Sequence, residues 1–177
     1  MKVMLFRCAP CAVSLCLLLV CFALCAVSGR AQNMHYSQFR SGLAPAGCNA
    51  RPTADECRQS IRLIWDWMWA NPEDTMTGAY WDLQLYHYLL SGRDTAGRRE
   101  HLEKSIFYNI WYCELAEVKQ KHSGYWNAAV CYSLVGDCGN ALKYLRLSKT
   151  SPGAKNRYQH RDTARIIKKM CGKKHSG

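Results

Sequence analysis

Cysteines, closely spaced tryptophans and a C-terminal run of cations are the residues of this 177-residue chain whose types and spacing could do chemistry. Five of the eleven cysteines (Cys8, Cys11, Cys16, Cys21, Cys25) lie in an apolar run near the N-terminus, where they serve as small apolar residues. Cys48, Cys57, Cys113, Cys131, Cys138 and Cys171 follow it. An even set behind a secretion-type leader predicts three disulfides with no free thiol. Cys131 lies about one turn before a Gly136-Asp137 reversal and Cys138 begins the returning segment, so those two are expected to bridge; facing side chains there would meet the Cα separation of about 4.4 to 6.8 Å that a disulfide needs. Cys48 with Cys57 is a weaker second pairing that would tie down the leader. The absence of a Cys-x-x-Cys among these six argues against a zinc knuckle.

Trp65, Trp67 and Trp69, with Trp81, Tyr86 and Tyr88, combine large apolar faces with polar handles and could line a sugar- or peptide-binding groove. At helical spacing the same residues more often fill a core. Trp67 lies two positions from each neighbouring tryptophan, hence on the opposite face of a helix. The six histidines are scattered with no His-x-x-x-His pair, so no metal or other cofactor is expected. Nucleophile elbows and phosphate loops are absent. The acid pairs Glu73-Asp74 and Glu114/Glu117 read as solvated, which leaves a small secreted hydrolase as an alternative without a motif.

The formal charge of +11 is unevenly placed: from residue 143 onward there are eleven Lys or Arg and one acid, Asp162. Arg157, Arg161, Arg165 and Lys168 recur every three or four residues opposite an apolar side formed by His160, Ala164, Ile167 and Cys171. Such a stripe suits an anionic membrane, glycan or acidic protein. Secretion ranks nucleic acid low as a partner.

These residues need elements to position them. Residues 1–31 carry Lys2 and Arg7 ahead of an uncharged stretch, Ala9 to Val27, closed by small residues, and are expected to be a secretory signal cleaved after Gly29 or Ala31. An uncleaved membrane anchor is the minor alternative. Residues 32–53, rich in Gly, Pro, Ser and Asn, read as an extended leader. A disulfide-braced helical domain is expected over 54–171, with 172–177 as a basic tail.

Thr53-Ala54-Asp55-Glu56 is a capping box, and Asn71-Pro72 ends the helix that it starts. That helix carries Ile61, Ile64, Trp65, Met68 and Trp69 on one broad face. A second, nearly all apolar, spans Thr77 to Ser91 before Gly92. A third starts between Thr95 and Arg99 and runs to about Lys121; its stripes Leu102/Ile106/Ile110/Cys113 and Phe107/Trp111/Leu115/Val118 form a face wide enough to pack between two neighbours. A helical hairpin over Tyr125 to Pro152 and a sixth helix over about Asn156 to Cys171 follow. With no alternating strand pattern, the chain is expected to be all-α, a short array or irregular bundle of about six helices.

Within the hairpin, Tyr125, Ala129 and Tyr132, the Gly136-Asp137 turn and Ala141 fall where a tetratricopeptide repeat places its aromatic, small and turn positions. Over about residues 123–153 the chain resembles one such repeat, departing from it at Ser148, where alanine is usual, and at Pro152. The resemblance implies a binding or scaffold module for a protein or peptide, with the sixth helix as a cap. Trp126, Val130 and Ser133, on the side of the first hairpin helix away from Ala129 and Tyr132, and the basic stripe are the expected contact residues.

Overall fold

The computed structural model describes residues 35–46, 51–74, 76–152 and 157–172, the side chains of 157–160 excepted. The expected signal segment and the tail beyond Gly172 lie outside the described residues, as does Cys48. The described part is all-α and contains no strand: α1 (Tyr36–Phe39), running into a 3-10 turn (Arg40–Gly42), α2 (Ala54–Ala70), α3 (Thr77–Ser91), α4 (Arg98–Leu115), α5 (Lys121–Val135), α6 (Cys138–Thr150) and α7 (Arg157–Gly172). From α2 onward each helix packs against the next, and α7 lies against both α5 and α6. Among the described residues no helix is long and apolar enough to cross a membrane.

Helix starts follow local chemistry. Thr53 Oγ1 accepts the Glu56 N–H at 3.2 Å while the Glu56 carboxylate accepts the Thr53 N–H at 2.6 Å, so both strands of the capping box are made. Gly136, at φ 86°, ends α5 in the left-handed region, and Asp137 then caps α6 by accepting the Asn140 N–H at 3.1 Å. α4 ends sooner than its apolar pattern predicts. Ala116 turns extended (ψ 150°) and is buried, which breaks the helix so that Lys121 can start α5 back along α4. Gly124 sits at that close crossing: an added Cβ would lie 2.7 Å from the Tyr112 ring and closer still to Cys113 Sγ.

Part of the expected extended leader is folded, because Tyr36 is an anchor. Its ring meets Trp67 edge-on at 4.8 Å, Phe39 stacks on the same indole at 5.7 Å, and its hydroxyl donates to Asp82 at 2.9 Å. This docking decides which side of α2 is covered. Ile64 and Met68 are buried as expected, but beside them and Cys57 it is Trp67 that is buried while Trp65 and Trp69 face solvent, the reverse of the sequence expectation for the tryptophans.

Ala129 and Ala141 are both 0% exposed where α5 and α6 meet, and Tyr132 stacks on Tyr144 at 5.2 Å beside them. Small residues on both sides bring the two helices close. Ser148, the departure from alanine, is fully buried and donates to the His122 carbonyl at 2.8 Å, tying the end of α6 to the start of α5. Ala141→Leu is expected to cost about 1 to 3 kcal/mol through overpacking, seen as a clear drop in melting temperature. An unchanged melting curve would mean that this contact is not close-packed.

The cysteine expectation needs correction. Cys138 bridges Cys171 (Cα–Cα 5.6 Å), not Cys131, and Cys57, Cys113 and Cys131 are separate buried thiols. Ala129 and Tyr132 take the α6-facing side of α5, which turns Cys131 toward α4, where it packs with Leu102 and Ile106 and lies 3.4 Å from Ser105 Oγ. Cys138, at the first turn of α6, meets the last turn of α7 instead.

Candidate functional site

The two apolar stripes of α4 have different fates. Leu102, Ile106 and Cys113 are buried, whereas Phe107, Trp111, Leu115 and, just past the helix end, Val118 are exposed by 53, 44, 50 and 59%. α2 adds Trp65 (44%) and Trp69 (90%). Ring contacts join the two helices into one surface. Trp65 meets Tyr108 edge-on at 6.2 Å, Tyr108 stacks on Tyr80 of α3 at 6.1 Å, Tyr80 stacks on Trp111 at 6.1 Å, and Phe107 closes the set against Trp111 at 6.2 Å. Trp69 lies one turn beyond Trp65, and Leu115 one turn beyond Trp111. Tyr108 is the buried floor and the other rings stand above it, with Arg62, Asp66, Lys104 and Glu114 among the exposed residues of the same two helices. The result is an exposed apolar, aromatic patch with charges of both signs on the same helices.

The residues expected from sequence to make contacts are arranged differently. Trp126 is partly covered: its Nε1–H donates to Thr163 Oγ1 of α7 at 3.1 Å, and its ring joins the cluster around Ala129, Leu145 and Ile167. Val130 is half-buried, and Ser133 is buried with its hydroxyl donating to the Val130 carbonyl at 2.7 Å. Arg161, Arg165 and Lys168 are exposed on α7, Arg165 lying 3.5 Å from Asp162. Arg157 begins that helix, and its side chain lies outside the described residues.

Two polar clusters arise that the sequence did not signal. Asp82 of α3 is buried; one oxygen accepts from the Tyr36 hydroxyl at 2.9 Å and from Arg40 Nε at 2.7 Å, the other from the second Arg40 nitrogen at 2.8 Å. Burial pushes its carboxyl up, against the pull of Arg40 and Tyr36. A cavity of about 440 Å³ opens beside it, lined in part by Ser37, Arg40, Leu43, Ala44 and Tyr86. Asp82 is the sole acid among the described lining residues, and both its oxygens are engaged, so the cluster works as a clamp for α1 rather than as an acid–base pair.

The second cluster joins His87 of α3 to His101 of α4, Nδ1 to Nδ1 at 3.2 Å, with Asp94 3.5 Å from the far nitrogen of His101 and held in turn by Arg58 at 3.1 Å. Burial, then His101 and Lys104, hold His87 down at about 4. Among the described residues no three of His, Cys, Asp or Glu converge to hold a metal ion. Fourteen positions separate the two histidines, so nothing short of the α3–α4 crossing brings them together.

The thiols are poor nucleophiles as placed. Burial pushes Cys113 up to about 12 and Cys131 up to about 11, and raises Cys57 too. Comparison of the chain with protein-family models, with curated proteins and with solved structures finds no match.

Proposed function

We propose that this chain is a secreted helical binding module that docks a protein or peptide partner on the aromatic surface of α2 and α4. The observation that carries the reading is the set of exposed rings Trp65, Phe107 and Trp111 joined through Tyr108 and Tyr80, with Trp69, 90% exposed, one turn beyond Trp65. Leaving such apolar area in water opposes solubility, and Trp and Tyr are the side chains that dominate interface energetics when a partner covers them. Tyr108 packs against Trp65 and Tyr80 stacks on Trp111, so these two rings have less side-chain freedom to lose on binding. The resemblance of the α5–α6 hairpin to a tetratricopeptide repeat points to the same class of function. The hydrolase alternative has no support in the Asp82 cluster, where the carboxylate is already occupied.

Capture from the native extracellular fraction tests this, with the unmodified protein as bait beside a Trp65→Ser, Trp69→Ser, Trp111→Ser variant. Trp69→Ser alone, at a side chain 90% exposed, should leave helical content and melting temperature unchanged and is run beside the triple variant, whose Trp65 and Trp111 also pack on Tyr108 and Tyr80. Retention of the partner should fall at least about tenfold, since an interface hot spot is worth about 2 kcal/mol or more. Equal retention by both baits would remove this surface from consideration.

A further inference from the structure

Residues 35–46 lie against α2 and α3 as a strap, and they sit in a groove as a peptide ligand would. Tyr36, Phe39, Arg40 and Leu43 fall at i, i+3, i+4 and i+7, the anchor pattern of a helical peptide laid in a groove. Tyr36 and Leu43 are buried, and Phe39 stacks on Trp67 of α2. α3 meets the Tyr36 ring with Gly78, where an added Cβ would lie 2.5 Å from it. Past the anchors, the Ala44 N–H donates to Ser60 Oγ at 3.2 Å and the Tyr86 hydroxyl donates to the Ala44 carbonyl.

The floor of the groove sets the chemistry of its occupant. Asp82 is buried, and its bonds come from the strap: the Tyr36 hydroxyl at 2.9 Å and two Arg40 nitrogens at 2.7 and 2.8 Å. Among the described residues, α2 and α3 supply it with no donor. A carboxylate at the bottom of a largely apolar groove needs a cation and a second donor from whatever fills the groove. The strap leaves room beside itself, since the cavity of about 440 Å³ is lined in part by its Ser37, Arg40 and Leu43 and by Tyr86 of α3.

We infer that this groove is a peptide-binding site that the chain keeps occupied with its own strap, and that a partner segment with an aromatic residue and a basic residue four positions apart takes the strap's place. The site is separate from the exposed tryptophans, because Trp67 lies on the side of α2 away from Trp65 and Trp69. Occupation in cis is inhibitory: a tethered segment competes at an effective concentration on the order of 1 mM.

The test uses the full-length chain and, as probe, a fluorescent peptide of residues 35–46. Tyr36→Ser, Arg40→Gln and Leu43→Ser together in the chain remove the strap's own hold. Fluorescence anisotropy should show this variant binding the peptide at least about tenfold more tightly than the unmodified chain, in which the tethered strap competes. Arg40→Gln in the peptide should weaken that binding at least about thirtyfold, because it leaves a buried carboxylate without its cation. Adding Asp82→Asn to the strap variant should abolish the difference between the two peptides. Should the strap variant lose helical content, the peptide should restore it, and no restoration would overturn the proposal. So would a folded strap variant that binds the peptide no better than the unmodified chain, or equal binding of the unmodified and Arg40→Gln peptides; either would make the strap a fixed part of the fold.

Discussion

Replacing Cys138 and Cys171 together by serine is expected to lower stability by about 4 kcal/mol. The bridge closes a loop of 33 residues, and the chain-entropy argument assigns a loop of that length roughly this loss of freedom in the unfolded state. α7 is more exposed to the loss than the other helices. Ile167 and Cys171 are its buried apolar side chains among the described residues, and the rest of its described length is half-buried or exposed. Denaturant titration of the oxidised, the reduced and the double-serine proteins measures the effect. In the last two, amide exchange should rise first in α7 and then along the α5–α6 surface that it covers. Coincident unfolding of oxidised and reduced protein would show that α7 is held by packing alone.

Acid should destabilise the protein well above the pH at which its carboxylates titrate. His87 is buried, faces His101, Lys104 and Glu100 of α4, stacks on Tyr108, and lies next to a histidine already linked to Asp94 and Arg58. Its proton affinity is depressed from about 6.5 to about 4 in the folded state. Above pH 6.5 both states leave it neutral and it contributes no pH dependence. As pH falls below that, the unfolded chain takes up a proton that the folded chain refuses, so stability declines until about pH 4, where the folded state also binds it. The gap of about 2.5 pH units corresponds to about 3 kcal/mol. His87→Gln should flatten the stability profile between about pH 6.5 and 4.5, as measured by urea midpoints across that range. A profile in the variant as steep as in the unmodified protein would place the titration elsewhere.

Sequence by itself determined where most of the helices start and stop, though not the early end of α4 or the short helix α1. The capping box at Thr53, the stop at Asn71-Pro72, the Gly136-Asp137 reversal and the span Thr77–Ser91 all match the observed elements, because each depends on backbone φ and on hydrogen bonds made within four residues. The alanine contact between α5 and α6 was also legible, since small residues at helical spacing mark a close approach whichever partner supplies it. Which face of a helix is buried depends on what arrives from elsewhere in the chain. α2 turned Trp67 inward because Tyr36 and Phe39 docked on it, and the outer stripe of α4, apolar enough to be core, was left open. Cysteine pairing followed the same logic: with Ala129 and Tyr132 packed on α6, Cys131 meets α4, and Cys138 is left to α7. The His87–His101 contact and the clamp on Asp82 join residues 14 and 42 to 46 positions apart, and only the packing of separate elements could make them. A helix carries its own hydrogen-bond geometry in its sequence, while the partner of each side chain is chosen by tertiary contacts that no local pattern encodes.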